Sequence, residues 1–161
     1  MTLPPDADLP DIIRYYHTRA RQYATRIGQA TDPEALLAQH LAPDMEPTGF
    51  HLAVAMGFAA RALCPPAGRT APDIPDPVTL QALHQFGQRI AVEIADIQGR
   101  DLTETVTHAA GSARLTQRPG DYILRFALPN LVFHLSLTHA ALRQGRLTVG
   151  KADFDGLHRY P

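Results

Sequence analysis

Two polar residues four positions apart, Asn130 and His134, interrupt an otherwise apolar run from Phe126 to Leu142. Residues spaced by four share a helix face. A helix this apolar must be buried, so an amide and an imidazole inside it require partners: another side chain, a water or a metal ion. One reading has Asn130 and His134 bonding each other or a buried water in a metal-free core. The other makes them part of a ligand or metal site, for which imidazole is a preferred donor and a neutral amide oxygen a weak one. Pro129 directly precedes Asn130 and cannot donate to the carbonyl of Arg125, so the helix is expected to kink there, either to aim Asn130 into a pocket or to adjust packing. His139 lies five residues beyond His134, off its face. Cys64 stands at a helix end beside Pro65 and Pro66, the setting of a buried, inert thiol. There is no G-x-G-x-x-G, G-x-x-x-x-G-K-[ST], H-E-x-x-H or G-x-S-x-G. Dinucleotide, nucleotide, zinc-protease and hydrolase-elbow readings therefore have no motif.

The elements that must position these groups follow from periodicity. Over Ile12 to Ala30 the residues Ile13, Tyr16, Ala20, Tyr23 and Ile27 recur by three and four, predicting a first long helix. Arg14 and Arg21 flank one edge of that stripe and Arg19 and Arg26 the other, as a solvated face or a surface for an anionic partner. Thr31-Asp32-Pro33-Glu34 starts a short helix running to His40. Pro47 to Leu63 is almost wholly small and apolar, which suits a second, central helix approached closely on several sides. Cys64 to Pro77 is a proline-rich crossing loop. Asp76 as cap and Pro77 as first residue open a third helix ending near Gly99, with the stripe Leu80, Leu83, Gly87, Ile90, Ile94 and Ile97. Gly87 marks a close backbone approach there or room for a ligand. The Thr- and Val-bearing stretch between Arg100 and Arg118 predicts a small hairpin around Gly111-Ser112. Asp121 to Gln144 is the fourth long helix. Four amphipathic helices imply an all-α four-helix bundle in one domain spanning 1–161.

The chain has 161 residues, 15 Lys plus Arg against 16 Asp plus Glu, a net charge of −1 and one cysteine. A near-neutral surface supplies no field toward nucleic acid or an anionic membrane, so neither is expected as a partner. The N-terminus MTLPPDADLPDII lacks a secretory pattern, and the run Phe126 to Leu142 is too polar and short to span a membrane comfortably. A cytoplasmic location is expected.

The segments LAPDM (41–45), Arg89-Ile90, YILRFALPNLVFH (122–134), the following LR and the tail GKADF (150–154) closely resemble the domain-of-unknown-function family numbered nineteen ninety-three. That family is grouped with the DinB and YfiT-like metalloenzyme superfamily, and the resemblance covers about residues 10–156. It implies a bacterial protein built as an up-down-down-up four-helix bundle. Superfamily members often hold a divalent metal with one His from the second helix and an H-x-x-x-H pair on the last. Some are thiol-dependent transferases and isomerases using bacillithiol or mycothiol. Aligned on this chain, Asn130 takes the first position of the pair, His134 the second, and His51 falls near the remaining one. The resemblance thus implies a ligand pocket of His51, Asn130 and His134; the candidates for a further group, on the residues alone, are Tyr16 or His17 on the first helix and His84 on the third, whose directions the sequence does not fix. His51 and His134 are the metal donors for Zn or Ni if a metal is held.

Apolar residues on nearly every side of the fourth helix predict a homodimer through it. The leading expectation is a dimeric small-ligand-binding or stress-associated module with a degraded metal site. The alternatives are a metal-dependent thiol-cofactor transferase and a purely structural dimer.

Overall fold

A computed structural model describes residues 9–159. Residues 1–8, which hold most of the N-terminal segment read above for a secretory signal, and residues 160–161 lie outside the described part. The chain is mostly helical, with one two-stranded antiparallel sheet.

Helix α1 (Leu9–Gly28) buries Ile13, His17, Ala20, Ala24 and Ile27, a stripe set by the three-and-four spacing. Its arginines are consumed inside the molecule. Arg14 donates to the carbonyls of Ile94 (3.0 Å) and Ile97 (2.8 Å), Arg21 to Gln88 Oε1 (2.8 Å), Arg19 to the Asp153 carbonyl (2.8 Å), and Arg26 to the Thr148 carbonyl. These are tethers between segments rather than a free basic face for an anionic partner. In α2 (Pro33–Ala38) the Asp32 carboxylate accepts from the Ala35 amide at 3.0 Å, as the Asp-Pro-Glu start predicts.

Helix α3 (Thr48–Leu63) buries every residue except Phe50 and Arg61, and it packs on α1, α4 (Leu80–Glu93) and α6 (Leu128–Gln144). Its run of Ala and Gly leaves room for three neighbours at once. Gly87 of α4 is one place where this matters. A Cβ there would stand 3.0 Å from Arg21 Cγ and 3.4 Å from Met56 Sδ, so this glycine serves close packing and not a ligand.

The start of α4 corrects the sequence reading. Thr79, not Asp76, is the cap, its hydroxyl accepting from the Ala82 amide at 3.1 Å, and Pro77 lies ahead of the helix on a cis bond with Asp76. Helix α4 also stops at Glu93, so Ile94 and Ile97 are fully buried from the segment beyond it, where Arg14 takes their carbonyls.

Strands β1 (Val106–Ala110) and β2 (Ala113–Gln117) form the expected hairpin, with Gly111 at φ 60° in its turn. The fourth predicted helix is three pieces: α5 (Pro119–Tyr122), a π-helical stretch (Ile123–Ala127) and α6. The Leu128 amide bonds the Ile123 carbonyl, five residues back. The expected kink ahead of Pro129 is thus realised as a π-bulge, which widens one turn where an N–H is missing. A short α7 (Lys151–Asp155) is held on α1 by Arg19, and Tyr15 donates to the Asp155 carbonyl. Phe154 packs against the core while Lys151 is exposed. Among the described residues no helix is long and apolar enough to cross a membrane.

Candidate functional site: a histidine pair between two helices

The α3–α6 contact is the most extensive in the molecule and brings two of the singled-out side chains together. His51 Nδ1 and His134 Nδ1 are 3.0 Å apart, with ring centroids at 5.2 Å. His51 is buried to 6% exposure, whereas His134 is only partly covered. His51 Nε2 is sealed from solvent without a protein hydrogen-bond partner; His134 Nε2 is neither sealed nor bonded.

Both imidazoles are held neutral. Burial pushes His134 down to about 4, with His51 and the Arg61 guanidinium adding to the effect. Burial also lowers His51, against an opposing pull from the Glu46 carboxylate and backbone carbonyl.

Aromatic rings wall the pair. Phe58 lies two turns along α3 from His51 and stacks on His134 at 6.3 Å and 17° between planes, with Arg61 over its ring at 5.3 Å. Phe133 meets His134 edge-on at 5.2 Å and is 56% exposed. Phe126 continues the row from Phe58 and receives His108 of the hairpin at 4.0 Å. His108 is fixed by a 2.7 Å hydrogen bond to Gln117, and Tyr122 donates to the Arg61 carbonyl at 3.0 Å. Sequence reasoning missed Phe58, Phe126 and His108. The seven-residue step from His51 to Phe58 was a usable signal, but the hairpin's approach to Phe126 leaves no trace in local spacing.

The other candidate residues do not join the pair. Asn130 donates its Nδ2–H to the Phe126 carbonyl at 2.8 Å, four residues back on its own helix. It therefore bonds neither imidazole, and the expectation of an Asn130–His134 hydrogen bond is corrected. The widened turn leaves a carbonyl there that a short amide side chain can reach. His17 is buried, but it sits on the edge of α1 carrying Arg14 and Arg21, whose bonds go to α4 and the segment after it, while His51 looks toward α6. Burial and Arg21 hold His17 down to about 4. Tyr16 packs edge-to-face on Tyr15 at 5.7 Å, and His84 lines a groove between α1 and α4. His139 bonds the Tyr23 hydroxyl at 2.6 Å, remote from His134 in role. Cys64 is buried, its thiol raised to about 11 mainly by burial.

These facts bear on a metal. Among the described residues no three His, Cys, Asp or Glu side chains converge closely enough to hold an ion. Two imidazoles are one strong donor short of the three that a catalytic zinc site keeps.

A match to the family described as Domain of unknown function (DUF1993) covers residues 16–155. Comparison with curated proteins finds no match. Among solved structures, a DinB family member protein from Shewanella denitrificans is similar, with a TM-score of 0.79 and 22% identity over 96% of this chain and 93% of that one. At that identity the likeness concerns the fold. By the extent of the family match the chain belongs to the DUF1993 family, on a DinB-like helical fold.

Proposed function

We propose that this protein is a small-ligand-binding module of the DinB-like type, with four long helices in up-down-down-up order, one domain and a metal centre degraded to two imidazoles. One observation carries the reading: His51 and His134 meet at 3.0 Å while the third position, Asn130, turns to its own helix. That separation is the usual hydrogen-bonding one, 2.9–3.0 Å. Two nitrogens sharing a tetrahedral zinc at about 2.0–2.1 Å each would stand about 3.3 Å apart. The pair is better described as bonded to itself. The ligand lies against His134 and the exposed Phe133, with His134 Nε2 as the polar contact. The exposed Phe133 and Leu124 (51%) support a homodimer through α6 and the stretch before it, in a cytoplasmic protein.

The alternative is a thiol-cofactor transferase in which His51 and His134 hold Zn or Ni. It is favoured by the same convergence of two imidazoles on one point. A metal there would polarise a bound thiol or water; Asn130 would have to leave the Phe126 carbonyl to take part. Metal analysis by mass spectrometry on tag-free protein, with His51→Ala and His134→Ala alongside, separates the two. The binding-module reading expects no stoichiometric metal in any of the three. Stoichiometric metal in the parent, lost in both variants, replaces it with the enzyme.

A further inference from the structure

The geometry points to a second binding site, independent of the histidine pair, in which Ser136, His139 and Lys151 form a donor set for the carboxylate of a small ligand whose apolar body lies on Phe154. These four side chains line a recess of about 270 Å³ between α6 and α7. That volume falls just under the roughly 300–1,000 Å³ of pockets for drug-sized ligands, so the occupant is small. Positions 136 and 139 lie about 200° and 140° around α6 from His134, on another side of the helix.

His139 owes its donor character to the residue behind it. Tyr23 is 1% exposed, and its hydroxyl has the His139 Nδ1 at 2.6 Å and no other hydrogen-bond partner among the described residues. A proton on Nδ1 would leave the phenolic O–H orphaned in the interior, so Tyr23 donates and Nδ1 accepts. Burial also holds the phenol in its protonated form. Burial and Arg143 keep the imidazole neutral against the pull of Asp153, and its one N–H then sits on Nε2, which is neither bonded nor sealed.

The charges around the recess leave one cation unmatched. Lys151, the only lysine in the sequence, is exposed, and its side chain has no ion pair or hydrogen bond among the described residues. The nearby carboxylates are already engaged within the tail. Asp153 accepts from the Gly150 amide at 2.8 Å and lies 3.9 Å from Arg26, and Asp155 accepts from the Leu157 and His158 amides at 2.8 and 3.0 Å. Arg143 is turned to the Val149 carbonyl at 2.8 Å. The Ser136 hydroxyl is likewise without a partner there. An ammonium, an imidazole N–H and a hydroxyl with no free carboxylate among them suit anionic oxygen. Phe154, edge-on to the His139 ring at 6.1 Å, supplies the apolar wall.

Lysine labelled with ¹³C gives the full-length protein a single reporter at Lys151. Titration with benzoate at neutral pH and constant ionic strength should shift its Cε signal saturably. Benzamide has the shape without the charge and inorganic phosphate the charge without the ring, and each should bind at least about tenfold more weakly. A benzoate shift that never saturates, or an equal response to benzamide or to phosphate, overturns the proposal. His139→Leu should weaken benzoate about two- to tenfold, the worth of one hydrogen bond. Ser136→Ala should do the same and leaves the Tyr23–His139 bond in place, so it decides the matter if His139→Leu, which orphans the Tyr23 hydroxyl, does not fold. Parental affinity for benzoate in either folded variant overturns the assignment.

Discussion

Acid should destabilise this fold through His17, and the size of the effect can be worked out. The side chain is 2% exposed on α1, and its affinity for a proton falls from the ordinary 6.5 to about 4, first through burial and then through the Arg21 charge. A histidine whose folded value is depressed binds fewer protons folded than unfolded. Its contribution is intact above the unfolded value and is lost as pH falls from about 6.5 toward 4. Comparing the two binding polynomials at pH 7 and pH 5 gives a loss of about 2 kcal/mol between them. His134 acts in the same direction but is partly covered, so its share is smaller. The perturbation is His17→Met, a flexible, nonionising side chain of similar bulk. The assay is equilibrium urea unfolding of parent and variant at both pH values and one protein concentration. The parent should lose about 2 kcal/mol more than the variant, about 1 M in midpoint for a slope near 2 kcal/mol/M. Equal losses in the two proteins refute the assignment.

Arg14→Met should cost about 1–3 kcal/mol in urea unfolding, because it removes the charged donor from two carbonyls, those of Ile94 and Ile97, beside buried side chains. Cys64 should react with a thiol reagent only on unfolding: it is fully buried and its thiol is raised to about 11, so labelling rates in the native protein should follow the opening equilibrium rather than pH alone.

What could be read in the chain was what local spacing controls. The stripe Ile13, Ala20, Ile27 specified α1, the small residues of α3 announced a centre, and Gly111-Ser112 placed the hairpin turn. What could not be read depended on competition between equivalent local choices or on partners far along the chain. Thr79 and Asp76 were both acceptable caps, and only the path of the crossing loop picked Thr79. His17 and His51 both occupy buried helix faces, but periodicity gives a face without naming the neighbour it meets, so His51 met an imidazole of α6 and His17 did not. The missing N–H of Pro129 foretold a disturbance; whether it became a kink or a π-bulge rested on packing of Tyr122 and Ile123, both buried ahead of it. Asn130 followed from that outcome, since the bulge offered its amide a nearer partner than any imidazole.

That chain of causes yields a reversal experiment. If the metal centre is short of one donor because an amide stands at position 130, Asn130→His should supply it, since residues 130 and 134 lie four apart on α6 and His51 already meets His134. The substitution gives up the 2.8 Å bond to the Phe126 carbonyl, a cost of about 1 kcal/mol, small beside the roughly 10 kcal/mol or more that structural zinc sites gain on binding. The variant should bind one zinc per chain and gain thermal stability with added zinc, while the parent does neither. Zinc binding by the parent would show the centre was never deficient. A variant no better than the parent would show that residue 130 cannot turn toward the pair, and that the π-bulge, by rotating the helix ahead of Pro129, removed the site's geometry as well as its ligand.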